Sequence, residues 1–302
     1  MFELYKLHKI DLFLIGIYTW IKINEVYPEV SPLSIINFKE DRKDVDIALF
    51  KAILKHNCMA LILSFKNKIT NSFQQKIYWS SLRYVSPSLS VKTLYKTKEN
   101  YPLILFQIRV GRRVWSSQIE GIVEIITKLY SDFPNLGIIL DGWTQKETGN
   151  LSQENSTIEQ EMTVAHDILT RIPAEVTTHL IIGQTVREKV VWAEAIDLFV
   201  APYGANCAIP LWVVNKPGIV HSNQELTTRV LRQSRKVSLF PIWMIPHQNI
   251  TDINLHHIYT DYDFDSSIIY EQIKIMLPEI ADSQSFDPIN DFWDEFNLNN
   301  QP

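Results

Sequence analysis

Apolar and polar positions change rhythm near Pro102. Before it, short apolar runs and helical spacings alternate without a regular cycle: Ile10 to Ile17 and Met59 to Ser64 have the run of strands, and Asp44 to His56 and Asn71 to Arg83 the spacing of helices. The stretch VSPSLSVKTLYKTKENY, Val85 to Tyr101, is polar, carries Pro87 and has no sustained period, as a linker does. After it the alternation is regular. Leu103 to Val110 (LILFQIRV) is near-continuously apolar, like a strand buried on both faces of a parallel sheet. Ile119, Ile122, Val123, Ile126, Leu129, Tyr130 and Phe133 then form one helical stripe that stops at Pro134.

The cycle continues with strand Gly137 to Leu140, helix Ile158 to Ile172, strand His179 to Ile182 and helix Val186 to Ala195. Strand Leu198 to Ala201, a helix from about Asn206 and strand Gly218 to His221 complete it. Five strands alternating with helices predict an α/β chain with a doubly wound parallel sheet. The pattern divides the chain into a small N-terminal α/β domain (1–95), a Rossmann-type domain (96–260) and a tail (261–302). The tail holds one helix, Ser266 to Met276, and the acidic aromatic stretch DPINDFWDEF, and is expected to pack back on the first domain.

Composition narrows the function classes. The chain of 302 residues is 46% hydrophobic and 21% charged, a balance that folds without disulfides or metals. A net charge of −5 supplies no basic field for nucleic acid, so any anion must be held locally. Cys58 and Cys207, far apart in apolar contexts, read as reduced buried thiols and point to the cytoplasm. The apolar run Leu12 to Ile21 is too short to span a bilayer and lacks a cleavage site after it. Peripheral contact with the inner face of a membrane, or with an assembly complex, stays open.

In an open parallel sheet, ligands bind beyond the carboxyl ends of the strands. The loop RVGRRVWSSQ places Arg109, Arg112 and Arg113, with Gln118, beside a helix start, where guanidinium forks and free amides suit a diphosphate. The alternative is that these arginines pair with surface carboxylates such as Glu120. In DGW, Asp141 either bonds a sugar or ribose hydroxyl or orients its own loop. In GQT, Gly183 and Gln184, with Glu188 in the helix beyond, either receive a base or ribose or form a tight turn capped by Thr185. In APYGANCAIP, Tyr203, Gly204, Ala205 and Asn206 offer small residues through which backbone amides can approach a phosphate. His221, Ser222 and Asn223 follow the last strand, as crevice residues or as structural ones.

With these loops in place, the second half resembles the C-terminal domain of GT-B-fold glycosyltransferases, particularly the bacterial enzymes that build capsule and lipopolysaccharide sugars. The resemblance lies in IRVGRRVWSSQIEGIVEII and EKVVWAEAIDLFVAPYGANCAIPLWVVNKPGIVHSN, and covers about Pro102 to Asn223. It implies that Arg112, Arg113, Gly204, Ala205 and Asn206 hold the diphosphate of a nucleotide-sugar donor, that 1–95 is the acceptor-side domain, and that a glycan or lipid-linked molecule accepts the sugar. It implies neither cofactor nor metal. The paired glutamates of many retaining members are missing after Leu198, which points to inversion. The Gly-rich acceptor loop is missing from the first domain, so the base is unassigned; Asp44, Asp46 and His8 are candidates. The rival expectation is a catalytically silent relative that binds a nucleotide sugar or a partner enzyme within a polysaccharide-assembly complex.

Overall fold

Two short strands, Phe13–Gly16 (β1) and Ser34–Asn37 (β2), pair in parallel near the start of the chain, and helix Asn71–Tyr84 (α1) follows. The computed structural model describes residues 13–16, 25, 34–37, 71–89, 99–145, 152–234, 242–253 and 258–283. The expected strand Met59 to Ser64, the helix Asp44 to His56 and Cys58 lie outside them.

The regular half of the pattern folds as expected in kind. Strand Leu103–Gln107 (β3), helix Gln118–Asp132 (α2), strand Gly137–Asp141 (β4), helix Ser152–Arg171 (α3) and strand Thr177–Leu180 (β5) form the first arm. Helix Val186–Ala195 (α4) crosses to strand Leu198–Pro202 (β6), and strand Gly218–His221 (β7) follows. Helix Gln224–Ser234 (α5) and strand Ile242–Met244 (β8) add a sixth strand beyond the five that the pattern predicts. The strands are parallel in the order β5-β4-β3-β6-β7-β8, which is the Rossmann order 3-2-1-4-5-6 counted from β3. A small antiparallel pair, Thr251–Asp252 (β9) and Tyr262–Asp263 (β10), precedes helix Ser267–Ser283 (α6).

Alternate residues of each strand feed two separate cores, as a sheet covered on both faces requires. Ile104, Phe106, Ile138, Leu140 and Val200 meet Ile122, Ile126 and Leu129 of α2, Ile168 of α3, and Ile269, Ile273 and Leu277 of α6. Leu103, Leu105, Ile139, Phe199 and Ala201 face the other way, against Trp192 of α4 and Leu211. Each Val, Leu, Ile or Phe side chain among these, fully buried, contributes roughly 1.5–3 kcal/mol.

The tail helix α6 packs on α2. On the opposite layer, α1 packs on α4, and Gln74 Nε2 donates to Trp212 O at 3.0 Å. No helix among the described residues is long and apolar enough to cross a membrane.

Several boundaries differ from expectation, α3 beginning at Ser152 rather than Ile158 and α6 running to Ser283 rather than Met276. β3 stops at Gln107: Ile108 N still bonds Asp141 O of β4, but Arg109 bonds Gln118 rather than a neighbouring strand. β5 begins two residues early, at Thr177. The helix expected from Asn206 is a 3-10 turn, Ala205–Cys207, followed by a π-helical segment, Ala208–Val213, in which Val214 N reaches back to Ile209 O. Pro210 has no N–H for an α-helical ladder there, so the backbone bonds are remade around it.

Candidate functional site

The chain reverses its strand order between β3 and β6, which are adjacent in register from Ile104↔Leu198 to Phe106↔Val200. A crevice at the carboxyl end of a parallel sheet opens at such a switch point. The loops leaving these two strands are the arginine loop and the Tyr203–Gly204 turn.

Their side chains converge. Gly204 has φ +142°, and a Cβ placed there would lie 3.5 Å from Arg113 Nη2 and 3.8 Å from Arg109 Nη1. Arg113 Nη1 donates to Tyr203 O at 3.4 Å, while Arg109 Nε donates to Arg112 O at 2.7 Å. Gly111 (φ +89°) and Arg113 (φ +54°) both take left-handed backbone, a conformation unusual for arginine. The bend turns Arg113 inward to Gly204, while Arg112 lies outside with its guanidinium 5.4 Å from the centre of the Tyr259 ring.

Among the described residues no carboxylate forms an ion pair with Arg109, Arg112 or Arg113. Glu120, the surface carboxylate that the alternative reading offers them, instead binds Arg171 at 3.1 Å. Arg113 Nε is buried and has no hydrogen-bond partner among the described residues. Burial, and then the like charge of Arg113, pull the Arg109 guanidinium below the usual arginine range. Two poorly solvated cations against a left-handed glycine create a local demand for an anion, which would relieve both causes at once.

A frame holds this pair in place. Gln118 is clamped on the Arg109 backbone, its Nε2 donating to Arg109 O at 2.9 Å and its Oε1 accepting from Arg109 N at 3.3 Å. The segment 259–263 fastens the far side of the loop. Arg113 N donates to Tyr259 O, Val114 N to Asp261 Oδ1, and Trp115 Nε1 to Asp263 Oδ1. Trp115 stacks on Phe264 at 4.3 Å, and its ring fills the place a Cβ would take at Gly121, only 2.2 Å away. Sequence reading does not find this segment; the alternation of aromatic and acidic residues in YTDYDFD is the signal that it carries.

The remaining candidates sit in the walls of the crevice. His221 is buried, and its Nδ1 shares a 2.7 Å hydrogen bond with the Tyr262 hydroxyl. Ser222 and Asn223 are buried as well; Asn223 Nδ2 donates to Thr260 O, and its Oδ1 accepts from Leu226 N at the start of α5. Ala205 is exposed and Asn206 half-buried in the 3-10 turn that follows Gly204. Cys207 is a free buried thiol, pushed up to about 12 by burial.

Asp141 is occupied from three sides, its Oδ1 by Lys189 Nζ at 2.6 Å and by Gly142 N, its Oδ2 by Gln107 Nε2. Lys189, 1% exposed, also donates to Gly142 O and Trp143 O at 2.8 Å. Glu161 accepts from Trp143 N on the same turn. Asp141 thus organises its own loop. Glu188 and Thr185 form a capping box at the start of α4. Gly183 takes φ +77° in a tight turn, with its N–H on Trp143 O, and Gln184 O accepts from Gln145 N.

Two buried groups titrate with opposite signs. Burial, and then Arg109, press His221 down to about 3, so it stays neutral where the unfolded chain binds a proton. Its stabilising contribution is present above about pH 6.5 and is lost as pH falls toward 3. Burial raises Glu161 to about 7, so its contribution is present below about pH 4.5 and is lost as pH rises through 7. The raw profile mixes the two. His221→Gln is therefore expected to gain about 2 kcal/mol relative to the unsubstituted protein between pH 7 and pH 5. Urea unfolding of both proteins at the two pH values reads the difference; parallel profiles would show that His221 is not held neutral.

No family model and no curated protein sequence matches the chain. Among the solved structures similar to parts of it are the following three. ADP-heptose LPS heptosyltransferase II of E. coli matches 65% of this chain at 11% identity, with a TM-score of 0.43. A glycosyl transferase of family 9 from Veillonella parvula matches 81% at 9% identity, also with a TM-score of 0.43. POFUT1 in complex with GDP matches 63% at 10% identity, with a TM-score of 0.26. The matched part spans 53% of the heptosyltransferase chain, about half its length, and 73% of the family 9 chain.

Proposed function

We propose that this protein is a GT-B-type glycosyltransferase that moves a sugar from a nucleotide-sugar donor to a glycan or lipid-linked acceptor in surface polysaccharide synthesis. The observation that carries the reading is the convergence of Arg109 and Arg113 on Gly204, with no carboxylate to neutralise either among the described residues. The sequence resemblance over Pro102 to Asn223 supports it.

In this reading the donor's diphosphate lies across Gly204, where a Cβ would obstruct the approach. The acceptor oxygen attacks the anomeric carbon as the bond from that carbon to the β-phosphate oxygen breaks. The bonding pair leaves on the phosphate, and the two guanidinium groups hold the growing charge. They are positioned before the reaction by Gln118 and by segment 259–263, so little reorganisation is needed. Charge stabilisation by arginines makes a metal-independent reaction chemically sufficient. Attack from the face opposite the diphosphate inverts the anomeric centre, and a base takes the acceptor proton.

A second reading rests on the groups around the crevice. Asp141, Glu161 and His221 are all buried and hydrogen-bonded, so none stands ready as that base. If no other part of the chain supplies one, the protein binds a nucleotide sugar as a silent subunit of an assembly complex. Incubating the purified chain with ADP-, UDP- and GDP-sugars separates the two. Release of nucleoside diphosphate, faster with a glycan or lipid-linked acceptor, is expected of the enzyme. Donor binding without release would replace it with the silent subunit, and absence of binding would refute both.

A further inference from the structure

Arg112 is the member of the arginine loop that does not face Gly204, and its position has a chemical consequence of its own. The left-handed backbone at Arg113 sends the two neighbouring side chains in different directions, one into the crevice and one onto Tyr259. Tyr259 is 53% exposed and Arg112 is exposed beside it, with the guanidinium 5.4 Å from the ring centre. Tyr259 is joined to the arginine loop through its backbone, next to Arg113, whose side chain faces Gly204.

The ledge is fixed to the anion site, because Tyr259 O accepts the amide of Arg113 at 3.3 Å. Asp261, two residues on, accepts Val114 N at 2.8 Å, and Tyr262 N donates to Val114 O at 3.0 Å. One backbone junction therefore holds Tyr259 beside Arg113. A ligand that spans both must carry an anion at one end and a flat, polarisable group at the other.

We infer that Tyr259 and Arg112 form the platform on which the nucleobase of the donor stacks, beside the diphosphate held at Arg109, Arg113 and Gly204. The inference rests on the nucleotide-sugar reading of that site and adds a residue and a recognition mode to it. A tyrosine face with a guanidinium beside it attracts any base through its π-face, so recognition here tolerates purines and pyrimidines alike. Discrimination between bases would have to come from hydrogen-bonding groups elsewhere.

Affinities for ADP, UDP, GDP and inorganic pyrophosphate, measured on the full chain by calorimetry, test this. The unsubstituted protein is expected to bind the three nucleoside diphosphates more tightly than pyrophosphate. Tyr259→Ala should weaken all three about tenfold while leaving pyrophosphate unchanged, and Tyr259→Phe should restore them. The exposed ring can be removed without opening the core, and the backbone carbonyl that orders Arg113 remains; circular dichroism and Tm check folding. Unchanged nucleotide affinities in Tyr259→Ala, or equal losses for nucleotides and pyrophosphate, would overturn the platform and leave the anion site standing. If neither pyrophosphate nor any nucleoside diphosphate binds the unsubstituted protein, the underlying reading falls and the platform falls with it.

Discussion

Replacing Arg109 and Arg113 together with alanine is expected to abolish the rise in melting temperature that nucleoside diphosphates produce in the unsubstituted protein. Each guanidinium supplies charge-assisted hydrogen bonds worth about 1.5–3 kcal/mol, so losing both weakens binding by roughly a hundredfold or more. A ligand that binds only the native form stabilises it by mass action, and a loss of that size removes the shift at ordinary ligand concentrations. Arg112→Ala should do much less, because Arg112 lies outside the crevice against Tyr259. In the absence of ligand the double variant should melt no lower than the parent, since it relieves repulsion between two poorly solvated cations. Undiminished nucleotide stabilisation in the double variant would remove the anion site from this crevice.

The other large effect is structural. Lys189→Met leaves Asp141 buried with two hydrogen-bond donors but without its cation, and leaves the carbonyls of Gly142 and Trp143 without the ammonium group they share. Breaking a buried pair from one side costs about 3–5 kcal/mol. For a domain of this size that lowers Tm by on the order of 10 °C. The double variant Lys189→Met with Asp141→Asn should recover a large part of the loss, because no uncompensated charge then remains; a double-variant cycle in urea measures the coupling. Additive losses would show that the ion pair contributes little beyond packing.

The two effects separate the roles of charge in this fold. The cations at the switch point have no carboxylate partner among the described residues, whereas Lys189 binds three oxygens, Asp141 Oδ1, Gly142 O and Trp143 O, at the end of β4. All three are cationic side chains near the carboxyl end of the sheet, Lys189 buried and the two arginines half-buried, and the sequence alone does not distinguish them. What separates them is the set of partners, which is tertiary.

Some of the site was legible in the residues. The loop RVGRRVWSSQ and the turn PYGAN each follow an apolar run, and that is enough to place them at strand ends. Their mutual contact was not legible, and neither was the choice of arginines. Arg112 and Arg113 look equivalent as adjacent cations, yet the left-handed bend sets them apart and pairs Arg113 with Arg109. His221 to Asn223 follow a strand and stand in the crevice wall, where Tyr262, Phe264 and the start of α5 bury them, contacts that no local pattern shows.

By itself, the sequence determined the strand and helix cycle from β3 to β7, apart from the 3-10 and π-helical segment after β6, down to the ends of α4 and β7. Burial repeats with the period of the local backbone, so a short window of residues is enough to reveal it. α5 and β8 were missed because QELTTRVLRQS is polar on most of its surface and IWM is too short to show a period. Only the tertiary structure decided that β3 lies beside β6, that segment 259–263 braces the arginine loop, and that two guanidinium groups meet at Gly204. Those contacts join residues distant along the chain through strand order and crossovers, and no local pattern of side chains encodes which distant strand will become a neighbour.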